Sequence, residues 1–336
     1  MTARLTAIQP HWAVEGGRIT IQGSDFPIDH PQLPEVRIGD APARAVYASS
    51  STISVLVPTG LDGGRTSVRV EGVPGETGLV EVGSILAAGL HQVDNPVFDR
   101  QGNLYVTYSG TRGQEVPVSI FRVSPSGRRE SFVSGVVNPT SMTFDSFGNL
   151  YVSSRFEGVV YRVRADGTPE IFASDLGLAC GLAFGRDDVL YVGDRSGTVL
   201  AVHPGGKART IATLPSSVAA FHLAIGPDEA VYVTAPTLGP YDHVYRIDPA
   251  NGKTDRVYSG FGRPQGLAFD AQGALYVVEA LAGWSGLYRL RNGGSPELVV
   301  AGPSLVGVAF DPQGGLVIAS NDTAYRLNVN IRPLVN

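Results

Sequence analysis

One motif recurs six times between residues 94 and 330, and it constrains the fold more than any other feature of this 336-residue chain. Its clearest copies are Gly102-Asn103-Leu104-Tyr105-Val106, Gly148-Asn149-Leu150-Tyr151-Val152 and Gly273-Ala274-Leu275-Tyr276-Val277. Weaker copies are Asp188-Val189-Leu190-Tyr191-Val192, Glu229-Ala230-Val231-Tyr232-Val233 and Gly314-Gly315-Leu316-Val317-Ile318. The anchors Tyr105, Tyr151, Tyr191, Tyr232, Tyr276 and Val317 follow one another at intervals of 46, 40, 41, 44 and 41 residues. A strand-rich repeat of roughly 40–45 residues is the pattern of propeller blades, where each unit buries its apolar face against its neighbours.

Within a repeat, local chemistry dictates the strands. A small apolar stretch ends in Phe-Asp, as in Ser141-Met142-Thr143-Phe144-Asp145, Gly266-Leu267-Ala268-Phe269-Asp270 and Gly307-Val308-Ala309-Phe310-Asp311. A tight turn follows, in which Asp bonds its own backbone at the start and Gly accepts positive φ at the end. The Leu-Tyr-Val strand comes next, in the β-branched and aromatic types that suit a pleated surface. A third strand reads Val160-Tyr161-Arg162-Val163, Val244-Tyr245-Arg246-Ile247, Leu287-Tyr288-Arg289-Leu290 and Ala324-Tyr325-Arg326-Leu327. Period-two alternation predicts that its arginine faces solvent. Turns at Asp166-Gly167, Gly205-Gly206 and Asn292-Gly293-Gly294 lead to a fourth strand, such as Glu170-Ile171-Phe172-Ala173. Four antiparallel strands per unit, with no helix-period segment, predict an all-β ring of six blades.

The last repeat lacks a fourth strand of its own, because residues 328–336 depart from the pattern. Residues 84–89 align without gaps on residues 130–135. The early segment is therefore expected to supply the outermost strand of the final blade, removing a free edge and tying the ring shut. With the grammar read at residues 266–277, this region, roughly three quarters of the chain, resembles the NHL-repeat and SMP-30/gluconolactonase-like six-bladed propellers. The Gly-His…Trp-Asp pairing of WD40 blades is missing.

Residues 4–82 follow a different grammar. Short alternating strands at Arg18-Ile19-Thr20-Ile21, Val36-Arg37-Ile38, Ile53-Ser54-Val55-Leu56 and Ser67-Val68-Arg69-Val70 predict a β-sandwich. The pattern Gly16-Gly17-Arg18-Ile19-Thr20-Ile21-Gln22-Gly23 with Phe26 and Val57-Pro58 resembles an IPT/TIG domain, an immunoglobulin-like module. The resemblance implies a module that presents or spaces its neighbour. The expected division is a sandwich at 1–83, a propeller at 84–330 and a tail at 331–336. The short junction at Gly83 predicts a packed interface between the two.

Composition excludes several classes. Charged residues are 17% of the chain and the formal net charge is -5, so nothing favours a nucleic-acid partner. Up to Gly83 there are six Arg against nine acidic residues, which leaves 20 basic and 22 acidic residues in the remainder. Cys180 is the only cysteine, which rules out an internal disulfide and a thiolate zinc cluster. No stretch is long and apolar enough to span a bilayer, and the chain begins without a signal region. The expectation is a cytoplasmic protein, or an exported or cell-surface one if a leader has been removed. Motifs for zincins, P-loops and the Gly-x-Ser-x-Gly elbow are missing.

Candidate site residues come from the propeller axis and from the loops around it. The lactonase resemblance implies a divalent metal, Ca or Mg, held at the axis by carboxylates and amides just before the blade glycines. The matching positions here are Asp94, Thr140, Cys180, Phe221, Gln265 and Val306. Of these only Asp94 and Gln265 offer the oxygens a hard cation takes, and a site needs more. Asp94 is thus a weak metal ligand, and Asp94, His222 and Glu279 are the catalytic candidates if the chain is an enzyme. The favoured reading of His222 is nonetheless a neutral, hydrogen-bonded structural residue, and that of Glu279, like Asp194, a loop anchor. The loops after the Leu-Tyr-Val strands carry Tyr108, Arg112, Arg155, Phe156, Arg195, Tyr241, His243 and Trp284. Aromatics and arginines on loops held by a rigid scaffold suit recognition. Tyr108, Arg155, Arg195, Tyr241, Gln265 and Trp284 are the candidate ligand contacts, although such side chains also serve simply to cover blade ends.

The favoured reading is a non-catalytic binding propeller whose loop-rich face takes a small molecule, glycan or protein, positioned by the front domain. The alternative is an SMP-30/gluconolactonase-like metal-dependent hydrolase or lyase with an altered axial site. A third is a purely structural surface module of the kind that both resemblances suggest in exported bacterial proteins.

Overall fold

The computed structural model describes residues 3–28, 33–73, 77–281, 283–291 and 294–334. Asn292 and Gly293 of one expected turn, and residues 335–336 of the tail, lie outside the described residues. Every regular element described is a β-strand.

The front part comprises β1 (Arg4–Gln9), β2 (Trp12–Ala13), β3 (Arg18–Ser24), β4 (Val36–Ile38), β5 (Ala41–Ala48), β6 (Thr52–Leu56), β7 (Gly64–Val70) and β8 (Gly78–Val82). β5 changes partner along its length. Ala41 to Ala43 pair with β4, and Arg44 to Ala48 pair with β6. A strand shared in this way folds one continuous ribbon into two facing layers. Alternate residues of both layers, among them Ile19, Ile21, Ile53 and Val55 against Val36, Ile38, Val68 and Val80, form one core.

The ring follows in chain order. After β9 (Ser84–Ala88) come β10 (Val97–Phe98), β11 (Leu104–Thr107), β12 (Ile120–Val123) and β13 (Arg129–Val133). The next quartet is β14 (Pro139–Phe144), β15 (Leu150–Ser154), β16 (Val159–Val163) and β17 (Pro169–Ala173). Then come β18 (Ala179–Phe184), β19 (Leu190–Asp194), β20 (Thr198–Val202) and β21 (Ala208–Thr213). These are followed by β22 (His222–Ile225), β23 (Val231–Thr234), β24 (Asp242–Ile247) and β25 (Thr254–Phe261). The chain finishes with β26 (Pro264–Phe269), β27 (Leu275–Glu279), β28 (Gly286–Leu290), β29 (Glu297–Ala301), β30 (Leu305–Phe310), β31 (Leu316–Ser320) and β32 (Thr323–Leu327). The inner strands β10, β14, β18, β22, β26 and β30 touch in that order, and β10 also touches β30. The result is a propeller.

The expectation of six separate blades requires correction: five four-stranded sheets stand free. The strands β26 to β29 instead end a 12-stranded sheet that runs through β2 into the front sandwich. The reason is an occupied edge. Trp12 and Ala13 pair in parallel with Val300 and Ala301 on one side and with Glu81 and Val82 on the other. The last free sheet is completed by β9, with Ala87 opposite Ala324 and Ala88 opposite Thr323.

The repeat motif has a packing explanation. The tyrosine of one Leu-Tyr-Val strand meets, edge to face, the phenylalanine of the next inner strand. Tyr105 pairs with Phe144, Tyr151 with Phe184, Tyr232 with Phe269 and Tyr276 with Phe310, at 4.8–5.4 Å between centroids. Such pairs contribute roughly 0.5–1.5 kcal/mol each beyond the area they bury. The turn aspartates behave as their position suggests: Asp145 Oδ1 accepts from the amides of Phe147 and Asn149. The third-strand arginines are only partly as expected. Arg162 is exposed, but Arg289 and Arg326 are about three-quarters covered and paired with Glu297 and Asp311.

Candidate functional site

At the axis, three sheets contribute to one buried network. Asp94 precedes β10, His222 opens β22, and Gln265 is the second residue of β26. His222 Nδ1 lies 2.6 Å from Asp94 Oδ1, and its Nε2 lies 3.3 Å from Gln265 Oε1. The Asn95 amide also donates to Asp94 Oδ1 at 2.7 Å. Asn95 stitches the neighbouring inner strands, donating to the Leu267 carbonyl and accepting from the Val308 amide, each at 2.9 Å. The blade glycines make room for this segment. A β-carbon on Gly266 would sit 2.1 Å from Asn95 Oδ1, and one on Gly307 would sit 2.6 Å from the Asp94 carbonyl oxygen. Asp94 and Asn95 also line an axial cavity of about 530 Å³ whose walls are the inner strands.

The residues present do not fit an axial metal. Asp94 and Gln265 are the oxygen donors of the six axial positions expected from the resemblance, apart from a hydroxyl. His222 stands between them and engages both. The Thr140 hydroxyl is turned to the Asn138 carbonyl at 3.1 Å, and Phe221 is wholly buried. Among the described residues no group of three or more His, Cys, Asp or Glu is placed to hold a metal. Cys180 is buried here too, and desolvation pushes its thiol up to about 11, which keeps it protonated and unreactive.

Glu279 does not join the axial group. Its carboxylate accepts from the amides of Gly262 (2.6 Å), Arg263 (2.8 Å) and Leu281 (2.7 Å) and so fixes two loops. Asp194 does the same for Leu178 and Ser196. Three backbone donors occupy most of the acceptor sites of this carboxylate, which places Glu279, a catalytic candidate in the sequence, in the role of a loop anchor away from the axis.

The ligand candidates separate into groups. Arg155 and Arg195 come together, with Arg112, Asn138, Phe156 and Leu178, around a recess of about 280 Å³. The recess lies on the loop face, among the connections that follow β11, β15 and β19 and those that precede β14 and β18. Burial first, and the Arg195 charge with it, hold the Arg155 guanidinium below the usual arginine range. Tyr108 sits beside this group, packed edge-on at 6.2 Å against His91. Burial and then the Arg155 charge lower the pKa of His91. Gln265 is withdrawn from solvent into the axial network, away from the recess. Tyr241 and Trp284 are 67% and 69% exposed and lie outside the recess.

Asn138 is the residue that motif reading missed. It is fully buried at φ +48°, and its side chain donates to the carbonyls of Ser109 and Thr111 while accepting from the Gly113 amide. Asparagine is among the few non-glycine residues that adopt this conformation readily, and that is the signal in Asn138-Pro139 that could have marked it.

An IPT/TIG domain model matches residues 3–81. No curated protein matches the chain. Several hundred solved chains share the fold. A putative gluconolactonase aligns at 18% identity and TM-score 0.62 over 75% of this chain and 93% of its own. A gluconolactonase from Xanthomonas campestris aligns at 17% identity and TM-score 0.61, over 73% and 88%. An auxiliary nutrient binding protein from Bacteroides ovatus aligns at 14% identity and TM-score 0.55 over 97% of this chain and 98% of its own. At these identities the likeness is one of fold.

Proposed function

We propose that this chain is a non-catalytic binding propeller that takes its ligand on the loop-rich face. On this reading residues 84–330 are the NHL/SMP-30-like recognition ring, residues 1–83 the module that positions it, and 331–336 a tail. The observation that carries the reading is the contrast between the two ends of the site. At the axis, Asp94, His222 and Gln265 are engaged with one another. On the loop face, a recess is open and lined by arginines that no carboxylate engages. Rigid scaffolds commonly carry recognition on such loops. The nutrient binding protein that aligns over nearly the whole length shares both parts of the architecture, which supports the reading as analogy.

Calorimetry of the purified protein against panels of neutral glycans, peptides and small anions tests it. One ligand class should bind with one site per chain, unaffected by prior dialysis against EDTA. Substitution at Arg155 should weaken a ligand held in the recess, and Tyr241→Ala or Trp284→Ala one held elsewhere on the loop face. Turnover of a lactone or ester by the wild type that Asp94→Asn abolishes would overturn the proposal in favour of an axial hydrolase.

A further inference from the structure

The loop-face recess is unusual in its charge. Three of its six lining residues are arginines and none is acidic, in a chain whose formal net charge is -5. Elsewhere in this ring several arginines are neutralised in pairs, as Arg122 is by Glu130, Arg164 by Glu170, Arg186 by Glu229, Arg246 by Asp228 and Arg289 by Glu297. In the recess three arginines meet with no acidic residue in the lining. Arg195 is held by backbone alone: its Nε donates to the Ser217 carbonyl at 3.2 Å and its Nη2 to the Val218 carbonyl at 2.9 Å. Those contacts fix the guanidinium without cancelling its charge. Arg155 and Arg112 make no side-chain hydrogen bond or ion pair with any described residue. Asp194, next to Arg195 in sequence, spends its oxygens on the Leu178 amide and on the amide and hydroxyl of Ser196, and Glu157, two residues from Arg155, accepts from the Tyr161 hydroxyl.

The walls are held in place as well. Asn138 clamps the loop that carries Arg112 through its bonds to Ser109, Thr111 and Gly113, at 2.6–2.8 Å. Gly113 has φ +73°, and a β-carbon there would meet the Phe156 ring at 3.0 Å, so the ring lies against this loop. The Arg195 amide donates to the Leu178 carbonyl at 3.1 Å, joining the third wall. Phe156 and Leu178 nevertheless remain 52% and 42% exposed. Uncompensated cations brought together and partly desolvated repel one another, so the arrangement is poised to gain free energy from a bound anion. Guanidinium forks match the oxygens of phosphate and carboxylate groups in paired hydrogen bonds.

We infer that the recess formed by Arg112, Arg155 and Arg195 binds the phosphate group of a small phosphate monoester, with an apolar or aromatic substituent resting on Phe156 and Leu178. This rests on the loop-face reading above and names its ligand class. A dianion is favoured over a single carboxylate because three arginines line one recess that has no acidic residue in its walls.

Titration with phenyl phosphate, inorganic phosphate, benzoate and phenol tests the inference, using the full chain at low and physiological salt. Phenyl phosphate should bind one per chain, more tightly than inorganic phosphate and benzoate, and phenol should not bind. Arg155→Gln and Arg195→Gln should each weaken phenyl phosphate at least tenfold, a loss of about 1.4 kcal/mol. Arg128→Gln, the same charge change on an exposed turn outside the recess, should leave it unaltered. Melting temperatures close to wild type would confirm that the variants are folded. Benzoate binding as tightly as phenyl phosphate would overturn the phosphate assignment in favour of a carboxylate. Equal weakening by Arg128→Gln would mean diffuse charge and no site. Absence of anion binding, together with a neutral glycan lost on Tyr241→Ala or Trp284→Ala, would sink this inference and leave the loop-face reading standing. Absence of both would sink the two together.

Discussion

At the scale of the residue, the axial network shows how a position suited to chemistry becomes a structural pin. Asp94 and His222 are almost wholly buried and face each other at 2.6 Å. Removing one partner of a buried pair leaves the other desolvated without compensation, at a cost of about 3–5 kcal/mol. His222→Ala should therefore lower the free energy of urea unfolding by that amount. Asp94→Asn, which keeps an oxygen for the Asn95 amide and the imidazole, should cost less. A His222→Ala shift below about 1 kcal/mol would show that the pair is relaxed by water and carries little stability. The neighbouring Cys180 needs no reactive role, since burial keeps its thiol protonated throughout the physiological range.

At the scale of the element, closure of the last sheet depends on a strand from far upstream. β9 changes its surroundings across a register shift opposite Ala324 and Tyr325: Ala87 is buried against Leu104, Val106, Val317 and Ala324, whereas Ile85 is 54% exposed. A charge at the first position is trapped in an apolar seam, and at the second it meets water. Ala87→Glu should reduce stability by at least about 2 kcal/mol and Ile85→Glu by no more than about 0.5 kcal/mol. Equal and small shifts in the urea midpoint would mean that β9 does not hold the ring shut. Period-two alternation explains why arginine appears repeatedly in the third strands. Its position lies on the face where a carboxylate of an adjacent turn or strand is available, as Asp228 is to Arg246.

At the scale of the whole molecule, β2 joins the two parts, pairing with a strand of each. Val14, at 1% exposure, packs with Tyr276, Leu305, Tyr325 and Leu327 of the ring, and its amide donates to the Ala301 carbonyl at 2.9 Å. Ala301 in turn is part of the sandwich core. Small-angle scattering of the wild type should fit one rigid particle. Val14→Asp should loosen the junction and raise the radius of gyration, since a buried unpaired carboxylate opposes docking by several kcal/mol. A scattering profile of the wild type that requires freely rotating halves would refute the single-body description.

The periodic signals were legible from sequence because they act locally. Phe-Asp-x-x-Gly dictates its own turn, Leu-Tyr-Val its own strand, and the spacing of tyrosine to phenylalanine fixes which neighbours meet. The kinship of residues 84–89 with a fourth strand was readable for the same reason. What tertiary structure alone decided depends on which edges and charges end up side by side. The two-residue strand β2 carries no periodic signal, yet by adding to β29 it turned an expected sixth free sheet into the end of a 12-stranded one. Asp94, His222 and Gln265, separated by 128 and 43 residues, form a buried chain only because their inner strands converge at the axis. Arg112, Arg155 and Arg195 look like ordinary loop arginines in sequence. Their meaning lies in a shared recess without a carboxylate, and pairing across blades is a property of three-dimensional distance that no local pattern encodes.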